Sequence, residues 1–193
     1  MIAATALSKR FGVKRVFAKV DVQLELGGFL LVTGPNGSGK TTLLRVLAGL
    51  DAPTAGKIAL PERARVGYLG HEPLVYRELT PLENLELFAR LYRVPDRDER
   101  IRILLERFGL EKVRDERVST FSRGMRQRLG LCRVLLHQPA LVILDEPFNA
   151  LDAAGSALLD ATLDELAGRA AVVVATHDPD RVERLATQRL AFV

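Results

Sequence analysis

A glycine-rich segment at residues 34–41, Gly-Pro-Asn-Gly-Ser-Gly-Lys-Thr, has the residue types and spacing of a phosphate-binding loop. Its glycines allow backbone N–H groups to turn inward around phosphate oxygens, and the apolar helix that follows adds the positive end of its dipole. Lys40 is expected to reach the β- and γ-phosphates, and the Thr41 hydroxyl is expected to bind Mg²⁺. A chance glycine-rich turn is disfavoured by the strand before the segment and the helix after it. The predicted nucleotide-binding residues here are Gly34, Pro35, Asn36, Gly37, Ser38, Gly39, Lys40, Thr41 and Thr42.

Two carboxylates follow a second apolar run and are suited to metal binding and water activation. Residues 141–145 read Leu-Val-Ile-Leu-Asp, and Glu146 comes directly after them. Asp145 can hold Mg²⁺ through water, and Glu146, beyond the strand end, can polarise an attacking water. An isolated acidic pair after a strand is usually a solvated turn. Because the chain also has a phosphate loop, we predict that Glu146 is catalytic and that Asp145 binds the metal together with Thr41.

A histidine, His177, follows the apolar run at residues 172–176. A lone histidine at a strand end is more often structural, but ligands of α/β proteins bind at the carboxyl ends of parallel strands. A neutral imidazole there could bond the γ-phosphate or the attacking water. His177 therefore joins Glu146 and Lys40 as a predicted catalytic residue.

The segment Ser-Arg-Gly-Met-Arg-Gln at residues 122–127 is predicted to start a helix, with Ser122 as its N-cap. Apolar residues at 129, 132, 135 and 136 form the buried face of this helix. The segment is either a capped helix start and nothing more, or a second anion site, because a free helix N-terminus near a glycine can receive a phosphate. The residues themselves do not decide between these two interpretations.

Several apolar runs are predicted to be the strands that position these groups. Residues 29–33, 65–69, 141–145 and 171–176 are nearly continuously apolar, as in strands covered on both faces. A further strand is predicted at residues 20–26, and a last one at 189–193. Helical segments alternate with the strands, which indicates an α/β core with a largely parallel sheet.

The middle of the chain has a helical pattern instead. Thr-Pro-Leu-Glu at residues 80–83 is a capping box with proline at the first helical position. Apolar residues at helical spacing follow until Pro95, and a second amphipathic helix ends near Gly109. Residues 78–120 are therefore predicted to be a helical insertion in the α/β core.

Composition narrows the class of protein. The net charge is +4 and the charges are interleaved, so no polybasic block indicates nucleic acid as a partner. A single cysteine, Cys132, suits a reducing compartment and is predicted to be buried. The sequence shows no secretion signal, and its apolar runs fall short of the ~20 residues that span a bilayer. We therefore expect a cytosolic protein that reaches a membrane only through a partner.

Together these motifs resemble the nucleotide-binding subunit of ABC transporters, and the resemblance spans essentially the whole chain. They stand in family order: the phosphate loop, a helical insertion, the signature Phe-Ser-Arg-Gly-Met at 121–125, the acidic strand, Asn-Ala-Leu-Asp at 149–152, and Thr-His at 176–177. The resemblance implies a phosphate-loop NTPase core with a mainly parallel sheet, an antiparallel N-terminal β portion and the helical insertion. It implies one ATPase domain over 1–193, with residues 1–77 and 121–193 as the α/β core and 78–120 as the helical subdomain.

The resemblance also implies that two subunits, as a homodimer or pseudo-dimer, sandwich two ATP molecules with Mg²⁺. Each ATP would lie between one subunit's phosphate loop and the Ser122 and Gly124 of the other. This favours the phosphate-binding interpretation of that helix start. Glu146 would then be the general base and His177 the switch histidine, and Asp152 would act across the dimer interface.

Three further positions follow from the resemblance. Phe11 stands where the family stacks an aromatic ring on adenine, although a core phenylalanine is the alternative. Where the family has a glutamine that senses Mg²⁺ and the γ-phosphate, this chain has Gly-His71-Glu72. We assign His71 to the metal site and leave Glu72 as the alternative. The signature also departs from the family, with Arg123 for glycine and Met125 for glutamine.

The function implied is an ATP-hydrolysing, energy-coupling subunit of an ABC exporter on the inner face of the cell membrane. Its partner would be an integral membrane permease docked around residues 71–86, and the subunit would not touch the cargo. Tyr-Leu-Gly-His at 68–71 and residues 146–155 are similar to the haem-exporter ATPase of cytochrome c maturation. ATPases of drug or polysaccharide exporters are the alternative. A soluble ABC ATPase acting on nucleic acid or ribosomes, and a regulatory module without turnover, are further alternatives.

Overall fold

The computed structural model describes residues 2–192; Met1 and Val193, the two ends of the predicted domain, lie outside the described residues. The elements in chain order are β1 (Ile2–Phe11), β2 (Lys14–Leu24), β3 (Phe29–Thr33), α1 (Lys40–Leu47), β4 (Ala55–Ala59), β5 (Val66–Leu69), α2 (Pro81–Leu91), α3 (Arg97–Arg107), α4 (Arg123–Leu135), β6 (Leu141–Asp145), α5 (Ala153–Leu166), β7 (Ala171–Ala175) and β8 (Gln188–Ala191). Short 3-10 turns lie between several of them.

The central sheet has five strands in the order β5-β6-β7-β3-β8, and every neighbouring pair is parallel. Alternate residues of its strands enter two different cores. On β3, Phe29 and Leu31 pack in the cluster that includes α2, α3, α4 and α5, whereas Leu30 and Val32 pack in the cluster with α1, β1 and β2. Burial on both faces explains why the sequence reads as continuous apolar runs, and the prediction of a mainly parallel sheet is confirmed.

A second sheet, in the order β2-β1-β4, is antiparallel and covers one side of the core. It is the antiparallel N-terminal β portion that the resemblance implies. Its register is interrupted at several points, and Ala6 and Lys19 have φ values of 51° and 53°. One face of this sheet is exposed, so its strands carry polar residues that the central strands lack.

The first predicted helix of the middle segment begins as predicted. Thr80 caps α2: its side chain accepts from the Glu83 N–H at 3.1 Å, and the Glu83 carboxylate accepts from the Thr80 N–H at 2.8 Å. At the end of α3, Gly109 takes φ 65° and the Leu110 N–H bonds the Leu105 carbonyl at 2.7 Å, which stops the helix. Cys132, on α4, is buried as predicted. None of the helices within residues 2–192 has the length and apolar character needed to cross a membrane.

The parallel arrangement decides where the polar residues meet. β3, β5, β6 and β7 run in the same direction and end at the same edge of the sheet. The residues that follow these ends are the phosphate loop, His71, Glu146 and His177. This edge is the carboxyl edge, where α/β proteins bind their ligands.

Candidate active site

A cleft of about 570 Å³ opens at the carboxyl edge of the parallel sheet. Its floor is the phosphate loop and the first turn of α1, one end is the β1–β2 hairpin, and the opposite wall consists of residues that follow β5, β6 and β7. Eleven predicted site residues line it: Phe11, Asn36, Gly37, Gly39, Lys40, Thr41, Thr42, His71, Asp145, Glu146 and His177. The β-strand ends thus bring together groups that lie far apart in the sequence.

The phosphate loop has the backbone shape that its glycines predict. Gly34, Gly37 and Gly39 take φ values of 142°, 79° and 112°, which other residues rarely adopt. At Gly37 the space that a Cβ would enter is open, so nothing blocks the approach of a ligand. The Ser38 hydroxyl is buried and has no partner among the described residues. Open, left-handed backbone beside an unsatisfied hydroxyl fits an oxyanion ligand.

Lys40 lies at the start of α1 and is 6% exposed. Its ammonium donates to the carbonyls of Gly34 and Pro35 at 2.7 and 3.0 Å. These bonds hold a buried positive charge against the loop, where a phosphate would be bound.

Thr41 and Asp145 are in direct contact: the Thr41 hydroxyl donates to Asp145 Oδ2 at 2.7 Å. Asp145 is 2% exposed, and burial raises its pKa, with a smaller opposing effect from the Thr41 hydrogen bond and a further increase from the neighbouring Glu146 charge. A bound cation would lower the free-energy cost of ionising this buried carboxyl group. No group of three His, Cys, Asp or Glu side chains in the described residues could hold a metal alone. One hydroxyl and one carboxylate fit Mg²⁺, which usually takes its remaining ligands from phosphate and water.

Glu146 and His177 form a pair on the opposite side of the cleft. Glu146 Oε2 lies 2.7 Å from His177 Nδ1 and 3.3 Å from the His177 backbone nitrogen. The backbone of Glu146 has φ 49°, an uncommon value for a residue other than glycine, and its N–H bonds the Ala175 carbonyl at 2.8 Å. Strained backbone of this kind is common at catalytic positions. The arrangement can hold a carboxylate as a base beside the bound phosphates.

His71 and Glu72 differ in position. His71 lines both the cleft that holds Asp145 and a neighbouring groove, whereas Glu72 lines only the groove. Of the two, the structure brings His71 to the acidic pair.

The hairpin end of the cleft holds Phe11, which is 56% exposed and has the Lys9 ammonium 5.0 Å from its ring centroid. Because more than half of its surface is exposed, Phe11 is not a core residue, and the alternative interpretation is wrong. Lys14 and Arg15 also line this end, and Asn149 lines the opposite wall. Sequence reasoning did not predict Lys14 and Arg15 as site residues and named Asn149 only within the Asn-Ala-Leu-Asp motif. Two adjacent cations three and four residues after Phe11 were a usable signal.

Ser122, Gly124 and Asp152 lie apart from the cleft, around a separate cavity of about 340 Å³. The Ser122 hydroxyl accepts from the Met125 N–H at 3.2 Å and caps α4, as predicted. Asp152 caps α5 by accepting from the Gly155 N–H at 2.7 Å. A Cβ on Gly124 would meet the Ala150 carbonyl oxygen at 2.7 Å, so this position needs glycine. Within one chain, the structure does not bring the signature residues to the phosphate loop.

Comparison with known families identifies the family of this chain. A family model for the ABC transporter matches residues 17–149, which include the phosphate loop, the signature and the acidic strand. The chain belongs to the ABC transporter ATP-binding family. Members of this family are ATPases.

Two solved structures share this ABC ATPase fold. An ATP-binding subunit of an ABC transporter superposes with a TM-score of 0.92 at 28% identity, covering 100% of this chain and 85% of the other. A dimeric ATP-binding cassette in a post-hydrolysis state with ADP and Pi superposes with a TM-score of 0.84 at 27% identity, covering 100% of this chain and 94% of the other.

Curated ABC relatives fall into several transport classes. An uncharacterised ABC transporter ATP-binding protein, YdbJ of Bacillus subtilis, is 39% identical over 93% of this chain, which spans 62% of that protein's length. The cytochrome c biogenesis ATP-binding export protein CcmA of Cupriavidus necator is also 39% identical, over 92% of this chain and 83% of its own length. The aliphatic sulfonates import ATP-binding protein SsuB 1 of Nocardia farcinica is 38% identical over 96% of this chain and 75% of its own length. Sequence identity therefore does not separate these classes.

Proposed function

We propose that this ABC ATP-binding chain binds ATP with Mg²⁺, hydrolyses it, and thereby drives a membrane exporter. One observation supports hydrolysis above all. At one edge of the sheet, Thr41 contacts Asp145, and Glu146 contacts His177, across a cleft floored by the phosphate loop. Nucleotide binding alone would not require the pair of Glu146 and His177 beside the phosphates.

Each residue has a distinct part in this proposal. Lys40 binds the β- and γ-phosphates, and Thr41 with Asp145 holds Mg²⁺, which neutralises charge on the phosphate oxygens. Glu146 takes a proton from the attacking water. His177 contacts Oε2 of Glu146 through its ring and its backbone N–H, which leaves Oε1 as the oxygen that receives the proton.

The remaining groups bind the ends of the nucleotide. Phe11 stacks on the adenine, since more than half of its surface is free to do so. His71, rather than Glu72, senses the metal and the γ-phosphate because it lines the same cleft as Asp145. Asn36, Gly37 and the rest of the loop surround the phosphates with backbone N–H groups.

Two copies of the chain, or this chain with a similar subunit, complete each site. The separation of Ser122 and Gly124 from the cleft supports a site in which they contact the ATP held by the other subunit. Asp152 would act at the same interface. The structural neighbour with ADP and Pi is dimeric, which agrees with this arrangement.

Closure of the dimer would push on an integral membrane permease at the inner face of the cell membrane, and hydrolysis would reset it. The permease would dock around residues 71–86, where the loop after β5 meets α2, and residues 78–120 would move as the helical subdomain. Transport of haem for cytochrome c maturation is supported by CcmA among the relatives. The alternative is another exporter, supported by the daunorubicin resistance protein DrrA3 of Streptomyces coeruleorubidus, which is 37% identical over 96% of this chain and 63% of its own length.

Substitution of the proposed base tests hydrolysis. Glu146→Gln should lower Mg²⁺-dependent phosphate release by at least about 100-fold and leave an ATP-bound dimer that light scattering detects. Glu62→Gln, which changes an exposed carboxylate outside the cleft, is the matched control and should behave as the unaltered chain. If Glu146→Gln continued to hydrolyse ATP, the assignment of the base would be wrong.

Purification from native membranes tests the partner. A tagged chain should be recovered with a stoichiometric multi-spanning protein, and haem in that complex would support the cytochrome c maturation type. Recovery without any membrane protein would contradict the exporter.

A further inference from the structure

A cavity of about 390 Å³ lies at the edge of the parallel sheet opposite the nucleotide cleft. Pro139 and Ala170, which come just before β6 and β7, line it, whereas the cleft is lined by residues that follow these strands. We call this feature the amino-edge cavity. It shares no lining residue with the cleft, and its volume falls in the range of about 300–1,000 Å³ that small-molecule sites have.

Faces of two helices form its walls. Arg100, Ile103, Leu104 and Arg107 have the spacing of residues on one face of α3, and all four line the cavity. A second face, which begins at Thr162, comes from α5, and the end of α4 supplies further lining residues. The cavity is therefore enclosed by three elements and concave, which suits a small molecule better than the flat surface of another protein.

Arg107 is held across the gap between α3 and α5. Its Nη1 donates to Glu165 Oε2 at 2.7 Å, and its Nη2 donates to Glu165 Oε1 at 3.0 Å and to the Thr162 hydroxyl at 2.9 Å. Two parallel bonds to one carboxylate fix the plane of a guanidinium group. One cation of the cavity wall therefore has a set position, and Glu165 already neutralises its charge.

Arg100 has a different environment. Its Nη2 donates to the Leu135 carbonyl at 2.9 Å, and its Nε donates to the Leu136 carbonyl at 3.4 Å, so both partners are neutral groups at the end of α4. Burial, with a smaller contribution from the positive charge of Arg107, lowers the pKa of the Arg100 guanidinium. By contrast, hydrogen bonds from two glutamates raise the pKa of Arg102, which lies on the same helix outside the cavity. An anion in the cavity would stabilise the charged form of Arg100.

The lining as a whole is positively charged. Three arginines and one glutamate line the cavity, which gives a lining charge of +2. The third arginine, Arg169, contributes to the lowered pKa of Glu165, although the hydrogen bond from Arg107 has the larger effect. Because Glu165 is paired with Arg107, the excess charge belongs to Arg100 and Arg169.

The rest of the lining is largely apolar. Leu104 and Ala170 are 2% exposed, and Leu135 is buried as well, whereas Ile103 is 41% exposed. An inorganic anion would leave this apolar surface in contact with water. A ligand with an apolar body would bury it and gain free energy in proportion to the area that it covers.

We propose that the amino-edge cavity binds a small organic carboxylate, whose carboxylate group pairs with Arg100 and whose apolar body packs against Ile103 and Leu135. This site is independent of the proposed function, since it uses none of the residues assigned to ATP. The ligand would contact α3, in the predicted helical insertion, and α5, in the α/β core. Its binding therefore stabilises the contact between these two helices.

A charged probe and its neutral match test the proposal. The probes are naphthoate and naphthamide, which have the same apolar body and differ in the charge of one group. Titrated into the ¹⁵N-labelled chain at low salt, naphthoate should bind at least about fivefold more tightly, shift the Arg100 Nε–H signal and raise the Tm more than naphthamide does. Equal binding of both probes, or no binding of naphthoate up to ~10 mM, would overturn the proposal.

Substitution of Arg100 tests the partner of the carboxylate. Arg100→Gln should abolish the preference for naphthoate, whereas Arg100→Lys should keep part of it because the charge remains. Arg97→Gln removes an exposed arginine of the same helix outside the cavity, and it should leave the preference unchanged. A full preference in Arg100→Gln would exclude this residue and overturn the proposal.

A second variant leaves the hydrogen bonds of Arg100 to α4 in place. Ile103 lies three residues after Arg100 and four before Arg107, so a carboxylate at this position reaches both guanidinium groups. Ile103→Glu should weaken naphthoate binding by about tenfold or more and should affect naphthamide less. Ile103→Gln, the neutral match, should weaken both probes equally. Equal effects of Ile103→Glu on both probes would contradict a carboxylate site on this face, and thermal unfolding verifies that each variant is folded.

Two competitors separate the remaining explanations. Inorganic phosphate at matched ionic strength should not displace naphthoate, because it has no apolar body; displacement would indicate a site for simple oxyanions and overturn the proposal. ATP with Mg²⁺ should not displace naphthoate either, and displacement would place the probe in the nucleotide cleft instead. The binding readout involves no ATP hydrolysis, so a failure of this site and a failure of the proposed ATPase activity are distinguishable.

Discussion

The phosphate-loop cleft and the signature end of α4 differ in how much of their chemistry one chain completes. In the cleft, Lys40 is bonded to its own loop, and Thr41 is bonded to Asp145. At the signature, the hydroxyl of Ser122 caps its own helix and, within residues 2–192, forms no hydrogen bond with a cleft residue. The first region is preorganised within one chain, while the second is a helix start that, in the proposed dimer, meets the nucleotide of the other subunit.

This difference shows how one chain can bind a nucleotide and still depend on a second chain for turnover. The cleft residues are held by strand ends, and their positions do not require another subunit. The signature residues line a separate cavity, and in the proposed dimer assembly brings the two halves together. Binding energy from ATP can therefore be used for closure, which is the motion that a transporter needs.

Removal of the Lys40 ammonium from the phosphate loop should cause the largest loss of ATP hydrolysis. Lys40→Ala is expected to lower hydrolysis by at least about 100-fold, because a buried positive charge aimed at the phosphates is lost. It should also weaken nucleotide binding to the single chain, which a fluorescent ATP analogue measures. Lys57→Ala, at an exposed lysine outside the cleft, is the control. If Lys40→Ala bound and hydrolysed ATP normally, the cleft would not be the nucleotide site.

A negative charge at the signature should cause the next largest loss of hydrolysis, and it should leave nucleotide binding by the phosphate-loop cleft unchanged. Ser122→Asp keeps a good helix cap but places a carboxylate opposite phosphate, so hydrolysis should fall by roughly tenfold to 100-fold. Nucleotide binding to the single chain should change little. Ser122→Asn, which caps α4 without a charge, is the comparison, and it should retain more activity. Equal loss in the two variants would indicate a structural role only.

Much of the cleft could be predicted from the sequence, because its parts are local. The strands Phe29–Thr33 and Leu141–Asp145 were predicted with the bounds that the structure has, since strands buried on both faces are continuous apolar runs that end at polar residues. The cap at Thr80 also followed from four adjacent residues. Such signals need no knowledge of the tertiary fold.

The rest depended on contacts between distant segments. β1 and β4 were not predicted, because one is half-exposed and interrupted and the other is almost fully exposed, so neither shows clean alternation. The predicted last strand, 189–193, is observed as Gln188–Ala191. Asn84 looked like an ordinary helix residue, and its hydrogen bonds to the backbone of the loop after β5 are visible only in three dimensions. The separation of the signature from the cleft is likewise a property of the fold.

The smallest expected effect concerns stability. Burial raises the pKa of Asp145, so ionisation of this carboxyl in the folded state costs free energy, and stability falls as pH rises from the unfolded-state pKa through the raised one. Asp145→Asn should therefore raise the Tm of the nucleotide-free chain at pH 7, with the gain vanishing below about pH 4, where the unfolded carboxyl is protonated. It should also remove the added stabilisation by Mg²⁺ with ATP. A lower Tm for the variant at pH 7 would show that the Thr41 contact outweighs burial.

The most direct test of a site shared between two chains is to mix two impaired variants. Lys40→Ala and Ser122→Asp are each expected to form dimers with themselves whose hydrolysis is at most about a tenth of the unaltered rate. In a mixed dimer, one site combines both lesions and the other combines the intact phosphate loop of one chain with the intact signature of the other. Equal mixing should therefore restore about a quarter of the unaltered hydrolysis rate, because about half of the dimers are mixed and each mixed dimer has one of its two sites intact. No recovery above the separate variants, with mixed dimers shown to form, would contradict a site built in trans.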